Sequence, residues 1–316
     1  MSIRDFVNQH YRHFNAGVVC NAAKSLTQFV KDDGKIFITL AGAMSTAQLG
    51  RSLAPMIEAG YIAAISCTGA NLEEDLFLLT AKSSYVEIED WRNLSALDDK
   101  ELLERKLNRV TDICIPEDEA IREIEAHMIP LWQEADKSNK QALPHEFFYE
   151  ILLSGKMQFD GDIENSWLMS AAKHNLPLFV PGWEDSTMGN IFASHCIESD
   201  LNPNIVKSGI HYMIELAQWY SEKQSPLAFF QIGGGIAGDF PICVVPMLNQ
   251  DLQKDVSLWS WYCQISESSP SYGGYSGAPP NEKISWGKLS PETPKYVIES
   301  DATIVAPLIF AYVLDY

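Results

Sequence analysis

Short apolar runs alternate along this chain with stretches of helical periodicity. Residues 35–40 (KIFITL), 61–66 (YIAAIS), 177–180, 227–232 (LAFFQI) and 257–265 have the length and apolar content of buried strands. Helices are predicted over 46–57 and 72–80, each directly after a strand. This alternation implies an α/β fold: a Rossmann-like, mainly parallel sheet with helices on both faces. Residues 1–31 read as an N-terminal helical segment and 94–153 as a helical layer with a solvated, charged face. Within that layer Glu117, Asp118 and Glu119 follow Pro116, a favourable helix start. Residues 302–314 are the longest apolar stretch. They contain Pro307, are too short to span a bilayer, and read as a buried terminal helix. With no repeat and no long linker, the whole chain, 1–316, is expected to form one domain.

Composition narrows the function. Forty-six per cent of the 316 residues are hydrophobic, enough for a large core, and 42 acidic against 23 basic residues give a net charge of -19. Such a surface repels phosphate backbones and anionic lipid, so neither nucleic acid nor membrane is expected as a partner, whereas small cations such as polyamines are attracted. The N-terminus is interrupted by charge and is no secretory signal. The six cysteines (Cys20, Cys67, Cys114, Cys196, Cys243 and Cys263) form no CxxC pair. They read as reduced core residues of a cytoplasmic protein, and no metal is expected.

Candidate chemistry lies in five turns that each follow a strand: 41–46, 67–71, 181–190, 233–238 and 268–278. In an open parallel sheet, ligands bind beyond the carboxyl ends of the strands, so five polar turns on one edge would form one site. Gly233-Gly234-Gly235-Ile236-Ala237-Gly238 satisfies GxGxxG ahead of a helix expected to start near Pro241. It fits either a pyrophosphate cradle or a tight structural turn. The acidic ribose ligand usual about 20 residues later is not obvious; Glu267 comes late. In Thr68-Gly69-Ala70-Asn71-Leu72-Glu73-Glu74-Asp75 the acids either open a helix or face a cationic ligand. In the 183–190 turn Asp185 suits a ribose hydroxyl and Asn190 an amine, unless Ser186 or Thr187 simply caps a helix. Tyr275-Ser276-Gly277 lacks the GxSxG spacing, which argues against a serine hydrolase. Lys288, beside Trp286 and near Glu282, is either a surface lysine or an amine that forms an imine.

Ser285-Trp286-Gly287-Lys288, following Ser276-Gly277-Ala278 and Asn281-Glu282, resembles the active-site segment of deoxyhypusine synthases. The glycine turn, the 68–75 segment, the 185–190 turn and Ser300-Asp301-Ala302-Thr303 match in the same order, from about residue 36 to the C-terminus. The resemblance implies an NAD-dependent transferase: spermidine is oxidised to an imine, Lys288 captures the butylamine carbon, 1,3-diaminopropane leaves, and an acceptor amine takes over the group. It implies NAD contacts at Thr46, Thr68, Gly69, Asp185, Gly233, Gly234, Gly235 and Asp301. It implies spermidine contacts at Glu73, Glu74, Glu282 and Trp286, and a homotetramer. Three positions depart from the pattern. Asp239 replaces a histidine, and Asn190 and Tyr275 each replace an aspartate. A rebuilt amine pocket favours a small acceptor, putrescine, giving homospermidine. The alternatives are modification of a translation-factor lysine and a non-catalytic NAD- or polyamine-binding protein.

Overall fold

In the computed structural model, which describes residues 1–198, 201–270 and 273–316, the strands are β1 (Lys35–Leu40), β2 (Ile62–Cys67), β3 (Val86–Glu87), β4 (Leu107–Val110), β5 (Ile113–Pro116), β6 (Leu178–Phe179), β7 (Leu227–Ile232), β8 (Trp261–Ile265) and β9 (Lys295–Ile298). Six of them form one parallel sheet in the order β6-β2-β1-β7-β8-β9. The chain builds outward from β1 through β2 to β6, then returns to the other side of β1 for β7, β8 and β9. That reversal makes the β1/β7 boundary a topological switch point.

Alternate residues of the strands bury opposite faces of the sheet. Phe37, Phe229 and Tyr262 are register partners on β1, β7 and β8 and stack in a row, with centroids 5.9 and 6.0 Å apart and planes within 6°. On that face the helix Gly209–Ser221 brings Trp219 to 5.7 Å from Phe37. On the other face Phe230 meets Phe310 of the helix Ala302–Leu314 at 5.5 Å, and Trp261 donates to Ser25 Oγ of the helix Phe14–Lys31 at 2.9 Å. Helices therefore cover both faces, which is why β7 and β8 are apolar but for Gln231 and Gln264, with every residue buried. Each such ring pair adds about 0.5–1.5 kcal/mol beyond its buried area. The terminal helix occupies the predicted residues, with Asp301 as its N-cap.

Several boundaries differ from the sequence expectation. The helix expected from Thr46 begins at Gly50 (Gly50–Glu58), because Gln48 takes a left-handed conformation at φ +58° that interrupts helical backbone. The strand expected from residue 257 begins at Trp261, and β9 was not foreseen. The expected helical layer over 94–153 contains helices Ala96–Glu104, Glu123–Lys137 and Pro144–Leu153, but β4 and β5 interrupt it as a hairpin that pairs antiparallel with β3. Its turn places Thr111 at φ +57° without the glycine that marks most such turns. Pro116 does precede a helical segment, wound as a π-helix over Glu117–Arg122. All six cysteines are free, four of them buried. Among the described residues no helix is long and apolar enough to cross a membrane.

Candidate active site

The carboxyl ends of β1, β7, β8 and β9 surround a cleft of about 370 Å³ at the switch point, lined by Ala41, Gly42, Gly233, Ser266, Glu267 and Asp301 among others. Its floor is held by a residue the sequence did not single out as functional, Asn71. The Asn71 side chain is fully buried. It donates to the carbonyls of Leu40, Ala41 and Gly42 and accepts from the Ser45 N–H. This clamp holds 41–45 as an irregular loop, one side-chain amide pairing the peptide groups that the backbone of the loop does not. Thr68 caps the helix Gly69–Ala81 and donates to the Gly42 carbonyl at 2.9 Å.

In the glycine turn, Gly233 (φ +74°) sits where an added Cβ would come within 2.8 Å of Ala41 Cβ, so the close approach of β7 to β1 requires glycine. Gly234 is needed for another approach: a Cβ there would lie inside the Ser276 side chain, and the Gly235 N–H donates to Ser276 Oγ at 3.1 Å. The turn thus serves as the seat of the 273–278 loop as well as a wall of the cleft. Asp301 lines the cleft while accepting from the Thr303 N–H at 2.7 Å. Ser271 and Tyr272, within the expected 268–278 turn, lie outside the described residues.

The three acids do not open their helix as the electrostatics of a helix start would have them. The helix begins at Gly69, so they fall in its second turn, and they are buried. Glu73, 2% exposed, accepts the N–H groups of Thr187 and Met188 at 2.8 and 2.7 Å and so ties down the start of the helix Thr187–Glu198. Glu74 accepts from Thr46 Oγ1 at 2.7 Å, and Asp75 accepts from Ser166 and the Leu168 N–H. Gly69 permits the 183–190 turn to close on this helix, since a Cβ there would be 2.5 Å from Ser186 Cβ. Asp185 and Asn190 stay exposed on that turn, the Asn190 amide donating to the Ser186 and Glu184 carbonyls.

Burial pushes Glu74 up to about 7, against the Thr46 hydrogen bond, and pushes Asp75 up to about 6. Between pH 4.5, the ordinary value for Glu74, and about 7, the folded protein keeps a proton that the unfolded chain has lost. Glu74 therefore contributes stability below that window that is lost as pH rises through it. Glu74→Gln is expected to flatten this part of the stability–pH curve, checked by urea unfolding of both proteins near pH 5 and near pH 7.5.

The lysine segment lies beneath the 273–278 loop. A short helix, Glu282–Ser285, and Gly287 at φ +69° turn Lys288 inward. Lys288 is 7% exposed, and its Nζ lies 3.6 Å from Asp239 Oδ1, 5.7 Å from the Trp286 ring centre and 5.8 Å from that of Tyr275. Asp239 cannot cap a helix beginning near Pro241. The helix is Gly235–Ile242, Gly234 is its N-cap, and Asp239 and Pro241 lie inside it. Trp286 is 65% exposed and Glu282 is exposed. The Tyr275 hydroxyl donates to Gln231 Oε1 at 2.7 Å, and Gln231 Nε2 donates to the Gly233 carbonyl at 2.8 Å. Gln231, the one polar side chain in LAFFQI, thus joins the lysine pocket to the cleft; its place in an apolar run was its signal in the sequence. Lys283 is also buried here, and its sequence context gave no sign of it. Among the described residues, no hydrogen bond or ion pair joins Glu73, Glu74, Asp185 or Asn190 to Lys288.

The sequence model of the deoxyhypusine synthase family matches residues 7–313. A protein of Archaeoglobus fulgidus named probable deoxyhypusine synthase 1 is 28% identical over 96% of this chain and 90% of its own length. A deoxyhypusine synthase-like protein of Nostoc sp. is 29% identical over 100% of this chain and 82% of its own length. A Methanosarcina acetivorans protein named probable deoxyhypusine synthase 2 is 30% identical over 87% of this chain and 75% of its own length. A crystal structure assigned to deoxyhypusine synthase in Entamoeba histolytica superposes with a TM-score of 0.59 at 13% identity, over 99% of this chain and 92% of that one, which shows a shared fold.

Proposed function

This chain belongs to the deoxyhypusine synthase family, whose members transfer an aminobutyl group with NAD, and on that premise we propose that it moves this group from spermidine to putrescine through an imine on Lys288, forming homospermidine. The observation that carries the proposal is Lys288 itself: a buried amine 3.6 Å from a carboxylate, under two aromatic rings, and linked through Tyr275 and Gln231 to the switch-point cleft.

The cleft fits a dinucleotide. It lies where nucleotides bind in doubly wound sheets, and Glu267 and Asp301 offer carboxylates to ribose hydroxyls. Gly233, Asp301 and Glu267 would hold NAD, with Thr68, Gly69, Thr46 and Asp185 shaping or flanking that edge. When bound, NAD supplies hydride acceptance and return. The protein's own part is nucleophilic. The Lys288 amine bonds to the substrate's imine carbon, the bond from that carbon to the nitrogen of 1,3-diaminopropane breaks, and the acceptor amine later displaces Lys288. Glu282, Asp239 and Glu74 are the acids assigned to the polyamine's ammonium groups, with Trp286 and Tyr275 as aromatic walls. A homotetramer in the cytoplasm belongs to the same proposal. Light scattering tests the assembly.

The acceptor assignment rests on Asp239. A diamine brings a distal ammonium that a protein lysine lacks, and Asp239 is half-exposed beside the amine that carries the group. One close charge pair at an effective dielectric near 20 is worth on the order of a few kcal/mol before desolvation, enough to alter acceptor preference roughly tenfold. Asp239→Asn is expected to cut homospermidine formation by about that factor with the melting temperature unchanged. Borohydride trapping of labelled spermidine on Lys288 should persist, because the loss falls on the acceptor. The function is tested by incubating the protein with labelled spermidine, NAD and putrescine, with and without a candidate protein acceptor. Homospermidine and 1,3-diaminopropane are the expected products; label transferred to the protein acceptor alone would reassign the acceptor, and no diaminopropane would refute transfer.

A further inference from the structure

Beside Lys288 a second buried amine has a cage of its own. Lys283 is 3% exposed, and its Nζ has the Ala278 carbonyl at 3.5 Å and the ring centres of Tyr262 and Tyr275 at 5.1 and 4.9 Å. Two aromatic faces and a carbonyl suit an alkylammonium: the negative ring faces attract the cation while its methylenes stay buried. Neither ring is free to swing away. The Tyr262 hydroxyl donates to Gln264 Oε1 at 2.8 Å and the Tyr275 hydroxyl to Gln231 Oε1 at 2.7 Å, and a Cβ on Gly238 would come within 3.1 Å of the Tyr275 ring. Burial lowers Lys283 to about 8, with the charge of Lys288 acting in the same direction and Glu282 and Asp239 opposing, so near pH 7 it is mostly charged.

Tyr275 is a wall shared between this cage and the nucleophile, since Lys288 Nζ lies 5.8 Å from the same ring centre. The acids lie toward solvent: Asp239, half-exposed, pairs with Lys288, and Glu282 is exposed. The cage instead runs inward to Tyr262, which is fully buried. The lysine pocket is therefore cationic at its inner end and anionic at its outer one. We propose that Lys283 is a specificity-determining residue, filling the cage behind Tyr275 with the chain's own ammonium and so refusing any amine that would place a charged end there. A substrate ammonium reaching past Tyr275 would find both rings taken and would meet a like charge. The charged ends of donor and acceptor are confined to the side of Asp239 and Glu282. Short amines are thereby favoured over longer ones that carry a further ammonium, such as spermine.

The choice of amines rests on the transferase reading, while the cage is tested without it. In the full-length protein, Lys283→Ala removes the equivalent of one propylammonium. Propylammonium chloride is expected to raise the melting temperature of Lys283→Ala above that in equal sodium chloride. It should not do so for the wild type or for Lys283→Met, whose side chains fill the cage, and 1-propanol should not replace it. Binding of spermine and of spermidine, with NAD present, is read by calorimetry near pH 7. The ratio of spermine to spermidine affinity is expected to rise on the order of tenfold in Lys283→Ala, as gain of a desolvated cation–π site would give. It should move in the same direction in Lys283→Met, which removes the charge alone. No stabilisation by propylammonium, or an unchanged ratio, overturns the proposal; should the alanine variant not fold, the ratio in Lys283→Met decides. Release of 1,3-diaminopropane from spermidine is followed in parallel. The expected ratio shift without any release by the wild type faults the transferase reading alone. Release with an unchanged ratio overturns the Lys283 assignment alone, and a wild type that binds neither polyamine overturns both.

Discussion

Lys288→Met should abolish aminobutyl transfer, lowering the rate on the order of 10³-fold or more, as loss of a covalent nucleophile does. The fold should survive. Methionine fills the buried stem, and the Asp239 carboxylate left behind is half-exposed and can be hydrated, so stability should change by no more than about 1 kcal/mol. Lys288→Arg separates charge from chemistry. A guanidinium can keep the contact with Asp239 but cannot form an imine, so it should be as inactive as methionine. Borohydride trapping with labelled spermidine, followed by peptide mapping, is the direct check: label on Lys288 in the wild type and none in either variant. An arginine variant that retained most of the activity would remove Lys288 from the nucleophile's role.

Asn71→Ala is expected to have the largest effect on stability among the site variants considered. Truncation strips the Leu40, Ala41 and Gly42 carbonyls and the Ser45 N–H of a shared partner in a fully buried position. The Leu40 and Gly42 carbonyls keep the Thr68 N–H and hydroxyl, so the Ala41 carbonyl and the Ser45 N–H are the groups left unpaired; each costs about 1–3 kcal/mol, and a net loss of about 3 kcal/mol is expected. Because the same loop lines the cleft, NAD affinity should fall along with the urea midpoint. Asn71→Asp keeps the acceptor for Ser45 but loses the donors, so it should fall near the alanine variant. Thr68→Ala removes one bond to the same loop and should lose only about 1 kcal/mol.

The acid segment shows where sequence pattern and structure part. Glu73-Glu74-Asp75 read as three equivalent charges near a helix start. In the fold they point to three different partners: the Thr187–Glu198 helix start, Thr46, and Ser166. A helix turns about 100° per residue, so neighbouring side chains leave in different directions. Which neighbours lie in those directions is set by chain more than 90 residues away in the case of Ser166 and Thr187. The glycine turn behaves similarly. GxGxxG limits which backbone shapes are open to the chain, but that a Cβ at Gly234 would meet Ser276 depends on how the 273–278 loop lies.

What the sequence determined by itself was what periodicity and local sterics govern: the buried strands β1, β2, β7 and β8, the terminal helix, the parallel α/β class, and the ordered motifs that give the chain its family. These follow from side-chain spacing along a short stretch, which the chain carries whatever it later contacts. Tertiary structure decided the rest. It set the strand order that opens the cleft between β1 and β7, placed Asp239 inside a helix and against Lys288, made Asn71 and Gln231 the braces of the site, and buried Lys283 between two tyrosines. Each depends on groups distant in sequence meeting at a fixed separation. Hydrogen bonding and the loss of hydration act over a few ångströms of space, which the order of residues does not encode locally.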